Sequence, residues 1–579
     1  MGQLPTAARW ALLAALAALV SARIAGAFTE AFNWDELSFM HRVERSIAQG
    51  KLIGGGRPGL AIVPLWPLVE GCRDEVAVLR AARLLWGGVT VAYVVGIFAL
   101  LRDLLRLLGS PRPGHAALFG AALTCLTPVF WRWSLQIRTD QLALAAAAWG
   151  SFFLLRSRQR LPWAALAGLA CGLGFLATQK AAYIAALGGA LAAVDVLTQR
   201  PRPWRQAFAR AGTALGVFGA VLAAFYLATT SFDKAESFGG TVRKGLGSLS
   251  DYGDLFGRGT YLAILERQPV HVLWVALLCV ATVASLRCGR EGARSLPYAW
   301  VTLLLGLAVA LFHRSSFAYF WMTLAMFPAV AIALGMDSIV ALVPSPRTRA
   351  ALLGGSWIAL VLLFAPGFGQ TLTDTQAVQR DSYAFVQRSF SPQDQGWQLE
   401  GGLFCHAPET PMPVLMYVHV LHHFQQARRE ESVRWVQDEL RRRPIKYIMG
   451  AHTLVMLPFP EELKRFWGER YVPYYKAVML PGRALGGRAG TQTQFDVLVP
   501  GAYVWRGSPP PRLEIDGKPV NLASPVTLDV GSHSIRLLAD TPPGALVWKV
   551  DTPPQPDPNL EFFNAWQQAE IALVEEEKR

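Results

Sequence analysis

Up to about residue 370 the chain alternates long apolar runs with short basic or polar tracts. A helix needs about 20 apolar residues to cross the hydrocarbon core of a bilayer. Runs of that kind fall at roughly 8–28, 78–101, 114–131, 138–155, 162–178, 181–198, 207–230, 269–286, 296–313, 317–342 and 349–368, which predicts eleven spans. The fifth and sixth are short, with only Thr178-Gln179-Lys180 between them. An unbroken helix over 162–198 would be about 55 Å long at 1.5 Å per residue, more than a bilayer needs, so a break near Lys180 is expected.

Beyond 370 the pattern changes. TDTQAVQRDSYAFVQRSFSP places Val378, Tyr383, Val386 and Phe390 at helical spacings, with Pro392 just beyond. RRRPIKYIMG reads as a helix end followed by a short buried strand, Tyr447 to Met449, and FDVLVP (495–500) as another strand. Residues 371–500 are expected to form a small α/β domain. In 503–550 apolar positions alternate, with an Asp-Gly turn at 516–517 and Gly531 at a second turn. This predicts a region 501–579 made of a small β-sandwich over 503–550 and a final acidic helix at roughly 558–577. The sandwich resembles PEGA-like modules of exported bacterial proteins. It is expected to be dispensable, so that a helical core at 1–370 survives deletion of 503–550.

Composition agrees with a polytopic membrane protein. Of 579 residues 52% are hydrophobic and 17% charged, and mean hydropathy is +0.29. The net charge of +14 does not point to nucleic acid, because the basic residues cluster between apolar runs. RDLLRLLGSPRPGH (102–115), RSRQR (156–160), QRPRPWR (199–205), RCGREGAR (287–294) and PSPRTR (344–349) fall on one side if the spans alternate. The positive-inside rule makes that side cytoplasmic. The first run is expected as a retained span, with the C-terminal region outside. Cys125, Cys171 and Cys279 lie in apolar runs, and Cys288 lies in a basic tract. Only Cys72 and Cys405 share the outer side; two free thiols are the expectation, with one bridge left open.

The outer side then holds the chemistry. AFNWDELSFMHR (31–42) follows the first span, and Leu37, Met40, Val43 and Ile47 mark a short amphipathic helix suited to the interface. Asp35 and Glu36 stand at its start, where carboxylates are favoured. From pattern alone Asp35 reads equally as a helix cap and as a reactive group. Arg138-Thr139-Asp140 opens the fourth span. A local Arg138–Asp140 ion pair and a snorkelling Lys180 are the plainer readings there.

The order NWDE, amphipathic helix, GGGRPGLAIVPLWPL (54–68), Arg138-Thr139-Asp140, Thr178-Gln179-Lys180 and HRSSFAYFWMTLAMFPAVAIA (313–333) resembles the GT-C glycosyltransferases. The branches in question are those like protein O-mannosyltransferases and lipid A aminoarabinose transferases. The resemblance spans about residues 8–500, though the late segment lacks the Tyr-x-x-Pro form of many relatives. It implies a polytopic helical GT-C fold with a polyprenyl-phosphate-sugar donor, a periplasmic glycan, lipid or protein acceptor, and inversion at the sugar. Asp35 would be the general base with Glu36 beside it. Arg138, Lys180 and Arg314 would bind the donor phosphate, and Asp140, His313 and Arg57 would contact substrate. An acceptor hydroxyl needs its proton removed, and the departing phosphate needs cations; Arg offers a two-pronged fork and Lys a point charge.

Several features stay outside this reading. The Gly-rich stretch 231–267 is not a P-loop and is expected to cover the site or simply to link spans. The adjacent His422 and His423 are poorly spaced for a shared metal, so none is assigned. The residues leave open whether a divalent cation takes part. A lipid-linked-sugar transporter and a non-catalytic glycan-binding scaffold are the alternative functions; gathering of polar residues at one face favours a reaction there.

Overall fold

The computed structural model describes residues 21–52, 59–110, 113–125, 130, 133–199, 201–228, 292–312, 320–343, 345, 347–349, 351–352, 354–358, 374–398, 403–405, 429–449 and 460–550. Arg57, His313, Arg314, the stretch 231–267, the 418–424 histidines and the expected last helix lie outside these residues.

The amphipathic stretch forms α1 (Trp34–Gln49), which buries Leu37, Met40 and Val43. Its cap is Asn33, not Asp35. The Asn33 side chain accepts from Asp35 N at 2.9 Å, and Glu36 returns to Asn33 N at 2.8 Å. This reciprocal box satisfies two amides that the helix itself leaves open.

The apolar runs form α2 (Glu75–Leu107), α3 (Pro113–Cys125), α4 (Thr139–Arg156), α5 (Pro162–Ala177), α6 (Ala181–Thr198), α7 (Trp204–Ala228), α8 (Gly292–Phe312) and α9 (Met326–Leu342). Among the described residues five helices are long and apolar enough to cross a membrane. The break at 178–180 is present: Thr178 is extended (φ −162°, ψ 146°) between α5 and α6. Helix α4 is central and packs against α2, α5 and α6. A Cβ on Gly168 would lie 2.2 Å from the Ala214 carbonyl oxygen, so only glycine lets α5 and α7 approach this closely. At the far end of α4, Arg156 and Arg158 flank buried Asp103 at 3.7 and 3.6 Å.

The rest forms α10 (Ala377–Ser389), α11 (Arg429–Arg442), α12 (Glu461–Gly468) and the strands β1 (Gly396–Gln398), β2 (Tyr447–Met449), β3 (Tyr471–Tyr475), β4 (Val478–Gly487), β5 (Gln492–Val497), β6 (Gly501–Arg506), β7 (Arg512–Ile515), β8 (Lys518–Asn521), β9 (Val526–Leu528), β10 (Gly531–Leu537) and β11 (Thr541–Trp548). One sheet runs β1-β2-β4-β11-β6-β9 with β3 also on β4; the other runs β5-β10-β7-β8. Leu485, Tyr503 and Leu546 of the first meet Phe495, Leu513 and Ile535 of the second in one hydrophobic cluster. The Asp-Gly turn joins β7 to β8 with both residues at positive φ (52° and 75°).

A cut at 500 or 503 would separate paired strands. Strand β11 lies between β4 and β6, and β10 pairs β5. Residues 503–550 are therefore not a detachable module, because the strand that completes the sheet of 478–487 comes from 541–548.

The sheet region rests on the first loop. The Phe32 amide donates to Gln379 Oε1 at 2.6 Å, and Gln379 Nε2 donates to the Phe32 carbonyl at 2.9 Å. The Gln376 amide donates to the Thr29 carbonyl at 3.0 Å. Cys72 and Cys405 are joined by a disulfide, contrary to the expectation of free thiols. Nothing local in the sequence brings 403–405 back to the first loop; the docking of α10 against residues 29–32 does.

Candidate active site

Four of the expected residues meet at one end of the helices. Asp35, in the first turn of α1, forms an ion pair with Arg138 Nη1. Arg138 Nε lies 3.6 Å from Asp140 Oδ2, and Lys180 Nζ lies 3.0 Å from Asp140 Oδ1. The result is a row of alternating charge, Asp35–Arg138–Asp140–Lys180. Asp140 is nearly buried, its side chain 3% exposed, whereas that of Asp35 is 29% exposed. Asp35 is thus the most open member of the row, Arg138 and Asp140 are enclosed, and Lys180 at the other end is partly exposed.

The backbone explains how these groups arrive. Arg138 is extended (φ −134°, ψ 150°) just before α4. The segment leading to it is not helical, so its polar groups need other partners. Trp86 Nε1 donates to the Arg138 carbonyl at 2.6 Å, and Thr90 Oγ1 to that of Ser134 at 2.6 Å. Gln141 Nε2 holds the Trp133 and Gln136 carbonyls at 2.8 and 2.9 Å. The guanidinium lies 5.6 Å from the Trp133 ring centroid. Lys180 comes from the α5–α6 break and lies 6.0 Å from the Phe320 ring centroid.

Glu36 has a different setting. It is fully buried and accepts four hydrogen bonds: from Arg83 Nε (2.9 Å) and Ile137 N (3.1 Å) on Oε1, and from Arg83 Nη2 (2.6 Å) and Asn33 N (2.8 Å) on Oε2. A carboxylate so occupied holds protein, not substrate. Arg83, Trp86 and Gln379 escaped sequence reasoning. Arg83 sits in a long apolar helix, where an arginine reads as an interfacial residue, and nothing local marks its partner.

The carboxylates of Asp35 and Asp140 each face a cation of the protein, and no group of three or more His, Cys, Asp or Glu residues among the described residues could hold a metal ion.

Comparison with known proteins gives the fold a context. No family model and no curated protein sequence matches the chain. Among solved structures, ArnT from Cupriavidus metallidurans in the apo state superposes with a TM-score of 0.51 at 14% identity, covering 78% of this chain and 95% of that one. The same protein bound to undecaprenyl phosphate gives 0.47 at 13% identity, over 82% and 98%. The Archaeoglobus fulgidus oligosaccharyltransferase in complex with Zn and sulfate gives 0.42 at 14% identity, over 79% and 71%. The chain therefore has the GT-C fold, a helical membrane domain with a C-terminal sheet region. Its likeness to apo ArnT carries that assignment.

Proposed function

We propose that this chain is a multi-pass glycosyltransferase of a bacterial inner membrane. It moves a sugar from a polyprenyl-phosphate donor to an acceptor hydroxyl at the periplasmic face, with inversion. The observation that carries the reading is the charge row Asp35–Arg138–Asp140–Lys180 on a GT-C fold, with its carboxylate end open. In this reading about eleven spans hold the reaction, and the sheet region lies on the periplasmic side.

The residues support a single displacement. Asp35 takes the proton of the acceptor hydroxyl as its oxygen bonds to the sugar C1. The bond from C1 to the phosphate oxygen breaks, and its electron pair leaves with the polyprenyl phosphate. Arg138, which is buried, and Lys180 balance that charge as cations already fixed in place. In the free protein Arg138 is paired with Asp35. A donor phosphate competes for the same guanidinium, so donor binding loosens the base for its proton. Asp140 stands between the two cations, 3.0 Å from Lys180 Nζ and 3.6 Å from Arg138 Nε.

The test is Asp35→Asn in the purified full chain, with mass spectrometry of copurifying lipids and of the transfer product. Transfer should fall by about 10²–10⁴-fold, the usual worth of a general base, with donor lipid still copurifying. Full activity in that variant would sink the assignment. Movement of intact lipid, its phosphate–sugar bond uncleaved, would favour a transporter.

A further inference from the structure

Arg83 lies in α2 with 1% of its surface exposed and spends its guanidinium on the segment that leads into Asp35. Besides its two bonds to Glu36, Nη1 donates to the Glu30 carbonyl at 2.6 Å and Nη2 to the Ala31 carbonyl at 2.8 Å. The Phe32 ring centroid lies 4.5 Å from the guanidinium carbon. Glu36 uses its other lone pairs on the Ile137 and Asn33 amides.

Glu36 is covalently next to Asp35, and Ile137 is covalently next to Arg138. One buried ion pair therefore fixes both chain segments that present the Asp35–Arg138 pair. The geometry points to Arg83 as a positioning residue: acting through Glu36, it sets where Asp35 stands relative to Arg138 and touches no substrate itself. This rests on the glycosyltransferase reading. Its structural half, that Arg83 orders 30–37 and 133–138, is separate from that reading.

A purely stabilising role makes a different prediction. Buried ion pairs are commonly replaceable by neutral residues with no net loss of stability, whereas removing one partner strands a buried charge. Arg83→Met strands Glu36. Arg83→Met/Glu36→Gln removes that charge and keeps an acceptor for the Ile137 amide, but it has no fork to grip 30–31.

The experiment uses the full chain in nanodiscs, with lipid-linked sugars extracted from the host membrane as the donor probe. Rates are normalised to the folded fraction from size exclusion. The double variant should recover most of the melting temperature lost in Arg83→Met. Its kcat should stay about 100-fold down, the scale of a 1 Å misplacement of reacting groups, with KM for the donor unchanged. Amides in 30–37 and 133–138 should exchange with deuterium faster in both variants. Recovery of kcat along with melting temperature, or unchanged exchange in both segments, would overturn the proposal. If the unaltered chain transfers no sugar from any extracted lipid, the functional reading fails, and the exchange measurement still decides whether Arg83 orders these segments.

Discussion

Asp35 and Glu36 are chain neighbours that face different worlds: Asp35 meets Arg138 at a solvent-accessible edge, and Glu36 is buried against Arg83. Successive residues on a helix point about 100° apart. At the first turn of α1 that rotation sends one carboxylate toward the site and the other into the joint between α2 and the 133–138 segment. In the proposed mechanism two adjacent acids thus divide the work, one for chemistry and one for placement.

Asp140 compensates two cations at once, with Lys180 at 3.0 Å and Arg138 at 3.6 Å. Asp140→Asn keeps the shape and removes the charge. Leaving a buried charge without its counterion costs about 3–5 kcal/mol, and the lower end applies because Lys180 is partly exposed. Thermal unfolding of the variant in nanodiscs should show the loss, and transfer should fall with it.

The disulfide between Cys72 and Cys405 joins residues 333 positions apart and ties the sheet region to the first loop. Cross-links of this kind stabilise by about 2–4 kcal/mol, chiefly through the unfolded chain. Cys72→Ser/Cys405→Ser should lower the melting temperature accordingly, and peptide mapping without reductant should recover the linked pair from the unaltered protein.

Deleting 503–550 removes most of β6 with β9 and β11 from one sheet, and β7, β8 and β10 from the other. The edge of β4 then lies open, with Leu485 deprived of its cluster. The truncated chain should fail to accumulate as a monodisperse species on size exclusion. A folded, active product would show the sheet region to be separable after all.

At the turn of the second sheet, His533 Nδ1 meets Asp516 Oδ2 at 2.7 Å, and its Nε2 meets the Asp529 carbonyl at 2.9 Å. Partial burial opposes the imidazolium, but the Asp529 carbonyl and the Asp516 carboxylate outweigh it and raise the histidine above its ordinary 6.5. Hydrogen bonds from His533 and the Ser534 amide hold Asp516 below its ordinary 3.8. The histidine's contribution is therefore complete below 6.5 and lost as pH rises through its raised value. The aspartate's is present above 3.8 and lost as pH falls through its lowered value. Protection of the 512–537 amides, corrected for the intrinsic exchange rate at each pH, should be greatest between about 3.8 and 6.5, and His533→Gln should flatten the upper limb.

Much of the local structure was legible. Period-3.6 apolarity marks α1 and α10, the Thr178-Gln179-Lys180 interruption marks the end of α5, and Asp516-Gly517 marks the β7–β8 turn. These are readable because each depends on neighbours within one or two turns of chain. The pattern offers Asp35 as one candidate cap and the structure uses Asn33, because several side chains there can accept from a helix amide and only the backbone course selects one.

The sequence by itself determined an apolar helical domain, the carboxylate pair at the start of an amphipathic helix, and the basic residues beside neighbouring apolar runs. Hydropathy and helical periodicity dictate those. Tertiary structure alone decided that Arg138 turns to Asp35, that Arg83 reaches Glu36 across 47 residues, that Cys405 returns to Cys72, and that β11 completes the sheet begun by β4. Each depends on which surfaces meet once helices and strands pack. That outcome is set by the summed burial of many distant side chains, not by any short stretch of chain.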